Sequence, residues 1–303
     1  MSVFKANGKL LLTSEYFILD GAVGLCLPAK LGQTLKVTLS ENICSSWQSF
    51  NADGSLWFAC QFDVDLNCME STDAAIAERL MQIFKAAQNL NPEIKPESQH
   101  FETHLQFPNN WGLGSSSTLI SLVAQYFSCN PYELLAATFG GSGYDIACAT
   151  ANSPILFNRN NENQINIQTA DFFPIFYENL YFIHLNRKQN SREGIAHYKQ
   201  LPLSDRLAII PALNEQSNRI LHAKDLNHFI SLLEKHESLI AENLDLPKVK
   251  TLHFSDFPGA VKSLGAWGGD FVLAASHLTQ EELTAYFNTK GYFTIISYNS
   301  LIL

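Results

Sequence analysis

Apolar and polar residues alternate through much of the first hundred positions, the pattern of strands that bury one face. Residues 9–12 form a short apolar run, and residues 33–39 place Leu35, Val37 and Leu39 on one side. Residues 56–60 and 101–107 predict further strands. Between them the period lengthens to that of a helix, with Ile76, Leu80, Ile83, Phe84 and Ala87 on one stripe. Ser71-Thr72-Asp73 supplies its N-terminal cap, and Asn91-Pro92 ends it after about Asn89. A second helix starts near Ser115 with Leu119, Leu122, Val123 and Tyr126 in register, and a third starts at Asn130-Pro131. The polar stretch 158–164 marks a loop or domain boundary. Beyond it the pattern predicts a strand over 180–185, amphipathic helices over 205–222 and 226–243, and strands over 271–275 and 292–297. Strands that cluster rather than alternate strictly with helices predict an α+β protein of two domains.

Composition narrows the class. The 303 residues are 46% hydrophobic and 16% charged, enough apolar material for a large core and too much for disorder. Lys and Arg number 20 against 29 Asp and Glu, a net charge of −9. That balance disfavours a protein that tracks a nucleic-acid backbone, yet says nothing against small phosphorylated ligands, which a few local donors can hold. Six cysteines without a Cys-x-x-Cys pair argue against a disulfide framework or thiolate zinc, and read as small buried hydrophobes of a reducing cytoplasm. No apolar run approaches the roughly 20 residues of a membrane span. The nine histidines form no His-Glu-x-x-His arrangement, and the many aromatics read as core.

The chemistry sits in glycine-rich segments. Pro108-Asn-Asn-Trp-Gly112-Leu-Gly114-Ser115-Ser116-Ser117 runs straight into an apolar helix. Glycines let backbone N–H groups approach a ligand, and the positive helix end favours an anion. The segment is not a Walker loop, because no Gly-Lys-Ser/Thr ends it. The same residues also fit an ordinary glycine turn with a serine cap. Ser115 to Ser117 lack the Gly-x-Ser-x-Gly elbow of a hydrolase.

Two further stretches stand either side of it. Gly8-Lys9-Leu-Leu-Leu-Thr-Ser14-Glu15-Tyr16 sets a lysine, a glutamate and a tyrosine around one apolar strand, and Gly265-Ala-Trp267-Gly268-Gly269-Asp270 precedes the strand at 271. With Gly141-Ser142-Gly143-Tyr144-Asp145, these segments resemble, in order and spacing, the motifs of the GHMP kinases (galactokinase, homoserine, mevalonate and phosphomevalonate kinases). Within that family they look most like the phosphomevalonate and mevalonate kinases. The resemblance implies a two-domain GHMP-kinase-like architecture: a ribosomal-protein-like α/β domain over residues 1–165 and a ferredoxin-like domain over 166–303.

It also implies transfer of the γ-phosphoryl group of ATP to mevalonate or phosphomevalonate, a step of isoprenoid precursor synthesis. Gly112, Leu113, Gly114, Ser115, Ser116 and Ser117 would then cradle the phosphates, with the Ser116 hydroxyl near Mg²⁺. Asp145 would accept or orient the proton of the acceptor hydroxyl, with Lys9 beside it to hold the aspartate ionised and neutralise charge on the phosphoryl group. Glu15, Tyr16, Gly268 and Gly269 would face the substrate, as would Lys188, Ser191 and Arg192 in a basic segment after the strand at 180. Glu133 is the nearest acid to the metal-binding glutamate of some mevalonate kinases, and equally fits an exposed first-turn helix acid.

Two positions depart from the pattern. Ser14 stands where glycine is usual, and Trp267 replaces a small residue of the third loop, where an indole would narrow the substrate pocket or cover the nucleotide. These departures keep two other readings open: a family member acting on a sugar or on homoserine, and a catalytically silent relative that binds a nucleotide or metabolite. The expected partner is a small molecule, with neither nucleic acid nor membrane, and a homodimer remains open.

Overall fold

The computed structural model describes residues 1–160, 164–187, 191–265, 267 and 269–303, with only the backbone at 191 and 192. The chain forms two compact units. One comprises Met1–Gly8, Leu31–Asn109 and Leu113–Thr150; the other comprises Lys9–Lys30, Asn110–Gly112 and Ala151–Leu303.

The first unit is a sheet with helices packed on it. Strands β1 (Ser2–Leu11) and β2 (Gly24–Leu39) pair, and both run on into the second unit. β3 (Ser45–Phe50), β4 (Leu56–Phe62) and β5 (Cys68–Ser71) lead to α1 (Ala74–Leu90) and β6 (Gln99–Leu105). The strand order here is β5-β4-β3-β6-β2, antiparallel except for the β3–β6 pair. α2 (Ser115–Phe127), α3 (Pro131–Thr138) and α4 (Tyr144–Thr150) complete the unit. The caps are those the sequence predicts. Asp73 accepts from the N–H groups of Ala75 and Ile76, and Asn130 accepts from Tyr132 N–H ahead of α3.

Helical stripes and inward strand positions meet in an aromatic core. Trp47 stacks on Phe101 at 5.7 Å and meets the edge of Phe84, which in turn meets Phe127 edge-on at 5.4 Å. β3 escapes the periodicity reading because Ser45 and Ser49 occupy its inward positions. Ser49 Oγ is satisfied there by Trp47 Nε1–H at 2.8 Å and by the Thr103 hydroxyl at 3.0 Å. Leu39 shares a parity with Leu35 and Val37 but lies at the end of β2 and is 84% exposed, so the predicted face stops at Val37.

In the second unit β7 (Ile155–Arg159) and β8 (Ile165–Thr169) form a hairpin beside the first residues of β2, which pair with β7. From the polar run at 158–164, Asn158 pairs with Asn166 and Arg159 with Ile165 in this hairpin, while 161–163 lie outside the described residues. β9 (Leu180–His184) is followed by α5 (Ser191–Gln200), α6 (Leu203–Ala208), α7 (Ile210–Leu221), α8 (Leu226–Leu244) and α9 (Val249–His253). Then come β10 (Gly259–Ser263), β11 (Phe271–Ser276), α10 (Gln280–Thr289), β12 (Ile295–Ser297) and α11 (Tyr298–Leu301). The antiparallel order β10-β11-β9-β12, with helices between β9 and β10 and between β11 and β12, is the split β-α-β arrangement of a ferredoxin-like domain. Tyr181, Ile183, Val261 and Val272 form one face of its core with Phe254, Leu283 and Phe287 from the helices.

The single helix expected over 205–222 is two. Ile209 ends α6 and begins α7, because Pro211 lacks an N–H and can stand only in a first turn. Strand β12 is shorter than expected. Cys26, Cys60 and Cys148 are buried, but Cys68 is exposed, and none of the six cysteines is in a disulfide. Among the described residues no helix is long and apolar enough to cross a membrane.

Candidate functional site

The glycine segment ahead of α2 has the backbone that its composition predicts. Gly112 and Gly114 take φ of +65° and +94°, where a Cβ is strained. Gly114 is the N-cap of α2 and offers no side chain, so no side chain caps the first amides of this thirteen-residue helix. The three serines diverge. Ser115 Oγ donates to Asn109 Oδ1 at 3.1 Å, Ser116 is exposed, and Ser117 is buried with its hydroxyl donating to the Gly114 carbonyl at 2.9 Å. Leu113 is fully buried and anchors the turn.

Asn110–Gly112 belongs to the second unit and is held there by residues from three distant segments. Trp111 meets the edge of Phe271 at 5.5 Å, and the Asn110 carbonyl lies 3.3 Å from His184 Nε2. Lys9, on β1, donates from Nζ to the Gly112 carbonyl at 2.9 Å. On the other side, the carboxylate of Asp270 lies against the bare Cα of Gly112, in the space a Cβ would occupy. Lys9, the glycine turn and the third glycine segment thus meet at one residue. Asp270 closes the third glycine segment, and the sequence alone assigns it no role in the site.

This geometry fixes what Gly112→Ala should do. The methyl group would strike the Asp270 carboxylate at a φ that alanine rarely adopts, so the loop or Asp270 must move. We expect a loss of about 1–3 kcal/mol in thermal or denaturant unfolding. Gly112→Ala combined with Asp270→Gly should recover part of that loss. An alanine variant as stable as wild type would refute the contact.

Glu15 and Tyr16 lead inward. Glu15 is fully buried and pairs with Lys262 of β10; its second oxygen, Oε2, lies 3.9 Å from His236 Nδ1 of α8. Lys262 also approaches Glu237 Oε2 at 3.8 Å and donates to the Ser263 carbonyl, while Glu237 accepts from Ser263 N–H and Oγ–H. Burial pushes the Glu15 carboxyl up to about 7, with Lys262 opposing the shift, and raises Glu237 as well. Burial, then the charge of Lys262, holds His236 well below the usual imidazole range. His236 Nε2 accepts from Ser14 N–H at 3.1 Å, which leaves the proton of the neutral ring on Nδ1, facing Glu15. Glu15 Oε2 and His236 Nδ1 are the two atoms of this cluster without a hydrogen-bond partner. Its members from α8 and β10 lie more than 200 residues from Glu15, beyond the reach of any local motif.

Both departures from the family pattern have local explanations. Ser14 has φ +66°, which accounts for a preference for glycine; here its hydroxyl donates to the Val23 carbonyl at 2.8 Å. Trp267 is only 6% exposed, packed in a core cluster with Tyr16 and Tyr198. Its Nε1–H reaches the Pro247 carbonyl, and its backbone N–H donates to the Tyr16 hydroxyl at 3.0 Å. The indole is a packing anchor, in place of the pocket cover considered above. Tyr16 Oη also lies where a Cβ on Gly194 would stand, so α5 closes over it.

In the first unit, Asp145 occupies the first turn of α4, partly buried, with Oδ1 accepting from Ile146 N–H at 3.1 Å. Gly140, Gly141 and Gly143 precede it, all at positive φ. Glu133 is exposed and engaged at its own helix start, where Oε1 accepts from Asn130 Nδ2 at 3.2 Å. The described residues hold no cluster of three His, Cys, Asp or Glu fit for a metal ion. Gly269 is buried just ahead of Asp270. Lys188 and Gly268 lie outside the described residues; Ser191 and Arg192 contribute the first turn of α5, their side chains likewise outside.

The chain matches no protein-family model and no curated protein sequence. Its fold, however, has many solved counterparts. Streptococcus pneumoniae phosphomevalonate kinase, in complex with phosphomevalonate and AMPPNP, is 16% identical and superposes with a TM-score of 0.71 over 98% of this chain and 100% of that one. Methanococcus jannaschii mevalonate kinase gives 16% identity and 0.71 over 97% and 96%. Lactococcus lactis galactokinase, complexed with galactose, gives 13% and 0.68 over 95% and 88%. The chain therefore has the fold of the GHMP kinases.

Proposed function

We propose that the protein is an ATP- and Mg²⁺-dependent phosphotransferase for a small molecule, with mevalonate or phosphomevalonate as the favoured acceptor and isoprenoid precursor synthesis as its setting. The observation that carries this reading is the meeting of Lys9, Gly112 and Asp270 at a glycine turn that continues into the uncapped start of α2. Three segments separated by about a hundred residues or more would have no reason to converge on an ordinary cap. Superposition on phosphomevalonate and mevalonate kinases over nearly their whole lengths supports a kinase of this fold.

In this reading the loop amides from Gly112 to Ser117 bind and orient the phosphates, and positioning accounts for most of the catalysis. Asp145 accepts or orients the proton of the acceptor hydroxyl. Lys9 counters charge on the phosphoryl group while holding the loop by its carbonyl. Mg²⁺ would supply charge neutralisation for the phosphates, and the exposed Ser116 hydroxyl would help to hold it. Ser14 and Trp267 are accounted for by backbone and core, so neither departure by itself favours a silent relative.

The test is a panel of mevalonate, phosphomevalonate, homoserine and galactose with ATP and Mg²⁺, read as acceptor-dependent ADP release. Release with either of the first two is expected. Release with galactose or homoserine alone would move the protein to another branch of the fold. Nucleotide binding without transfer to any acceptor would point to a silent binder.

A further inference from the structure

We infer that β8 is the edge through which two copies of this chain pair, strand against strand about a two-fold axis at Ile167. Among the described residues β8 stands at the end of the order β5-β4-β3-β6-β2-β7-β8, with β7 as its neighbour. Two hydrogen bonds fix which of its backbone groups are used by β7. Ala170 N–H donates to the Pro154 carbonyl at 2.8 Å, and Asn160 N–H donates to the Gln164 carbonyl at 3.0 Å. Both follow the β7–β8 register and join residues directly opposite each other, so the even-numbered residues of β8 are those bonded to β7. Ile165, Ile167 and Thr169 therefore turn their N–H and C=O groups outward from the sheet.

An open edge invites pairing, and proteins blunt theirs with charge or shortness. The other sheet ends do so: β5 carries Glu70, β10 carries the buried Lys262, and β12 is 3 residues long. β8 has no such device. From Gln164 to Ala170 there is neither a charged residue nor a proline, and Asn166, Ile167, Gln168 and Thr169 are all exposed. The strand also complements itself. With Ile167 opposite its own copy, Ile165 meets Thr169, and the outward backbone groups of both strands face one another in about six hydrogen bonds. Ile167 pairs with buried Phe157 on β7, so two copies of Ile167 extend that apolar face, while Asn166 meets Gln168 on the other. No charge is set against a like charge, as association of a chain of net charge −9 requires. Symmetry about one residue is met by a second copy and not by an unrelated segment. Such a contact uses up the edge, and assembly stops at the dimer.

Sedimentation equilibrium of the full chain tests this for wild type, Ile167→Lys and Thr169→Pro, with folding followed by circular dichroism. Wild type should dimerise with a micromolar dissociation constant, because one strand pair lies at the low end of interface sizes. Ile167→Lys sets like charges opposite each other at the axis, and Thr169→Pro removes an N–H that β7 does not use. Each should weaken dimerisation by about tenfold or more. Thr169→Pro decides the matter if Ile167→Lys does not fold. Wild type that stays monomeric to about 100 µM overturns the proposal and leaves the edge to a partner other than this chain. A dimer that neither folded variant weakens, or an assembly larger than a dimer, overturns it as well.

Discussion

Asp145→Asn should lower kcat by about 10²–10⁴-fold with the acceptor identified by the panel, and leave the affinity for AMPPNP within about twofold of wild type. The asymmetry follows from what each group does. In the proposed function the nucleotide would be held by loop amides that this substitution does not touch. Asparagine retains the oxygen that accepts from Ile146 N–H, so the first turn of α4 keeps its hydrogen bond. What disappears is the capacity to take a proton from the attacking hydroxyl. The loss should therefore fall on kcat. Near-normal turnover in the variant would remove Asp145 from the mechanism.

Whatever depended on neighbours in the chain was legible before the structure. The cap at Asp73, the stripe of α1, the Asn130-Pro131 start and the positive φ at Gly112 and Gly114 are each written within a few residues. What was not legible depended on partners far away. Glu15 reads as a substrate contact in its own segment, yet is sealed because Lys262 and His236 arrive from β10 and α8. Asp270 gains significance only once Gly112 is placed against it. Strand β3 was hidden for a similar reason, since its inward serines are satisfied by polar groups mostly distant in the chain, Ser49 by Trp47 and Thr103 and Ser45 by the backbone of Pro96 and Gln99. α5 was hidden because Gly194 weakens its propensity, and that glycine is required by the Tyr16 hydroxyl.

The buried cluster around Glu15 makes the largest stability prediction. Lys262→Met should cost about 3–5 kcal/mol near pH 8, because it leaves Glu15 and Glu237 buried without the cation that faces both. The cost should vary with pH in a definite sense. In the folded wild type the Glu15 carboxyl is raised to about 7, above its unfolded value of about 4.5. Its contribution to stability is then complete below the unfolded value and lost as pH rises through the folded one. Lys262 is the main influence opposing that rise, so its removal carries the folded value higher still and extends the loss to more alkaline pH. His236 acts in the other direction. It is held neutral, and its contribution is present above about 6.5 and lost as pH falls. Between pH 6.5 and 9 its term is constant, and the raised carboxyls of Glu15 and Glu237, both facing Lys262, carry the pH dependence. Over that range the deficit of Lys262→Met in urea unfolding should widen steadily. Glu15→Gln/Lys262→Met, which removes one of the two carboxylates together with their counter-ion, should recover part of it and reduce the pH dependence, leaving the share of Glu237. A deficit independent of pH, or one the double substitution leaves in full, would mean that Lys262 acts through the packing of its stem and not through its charge.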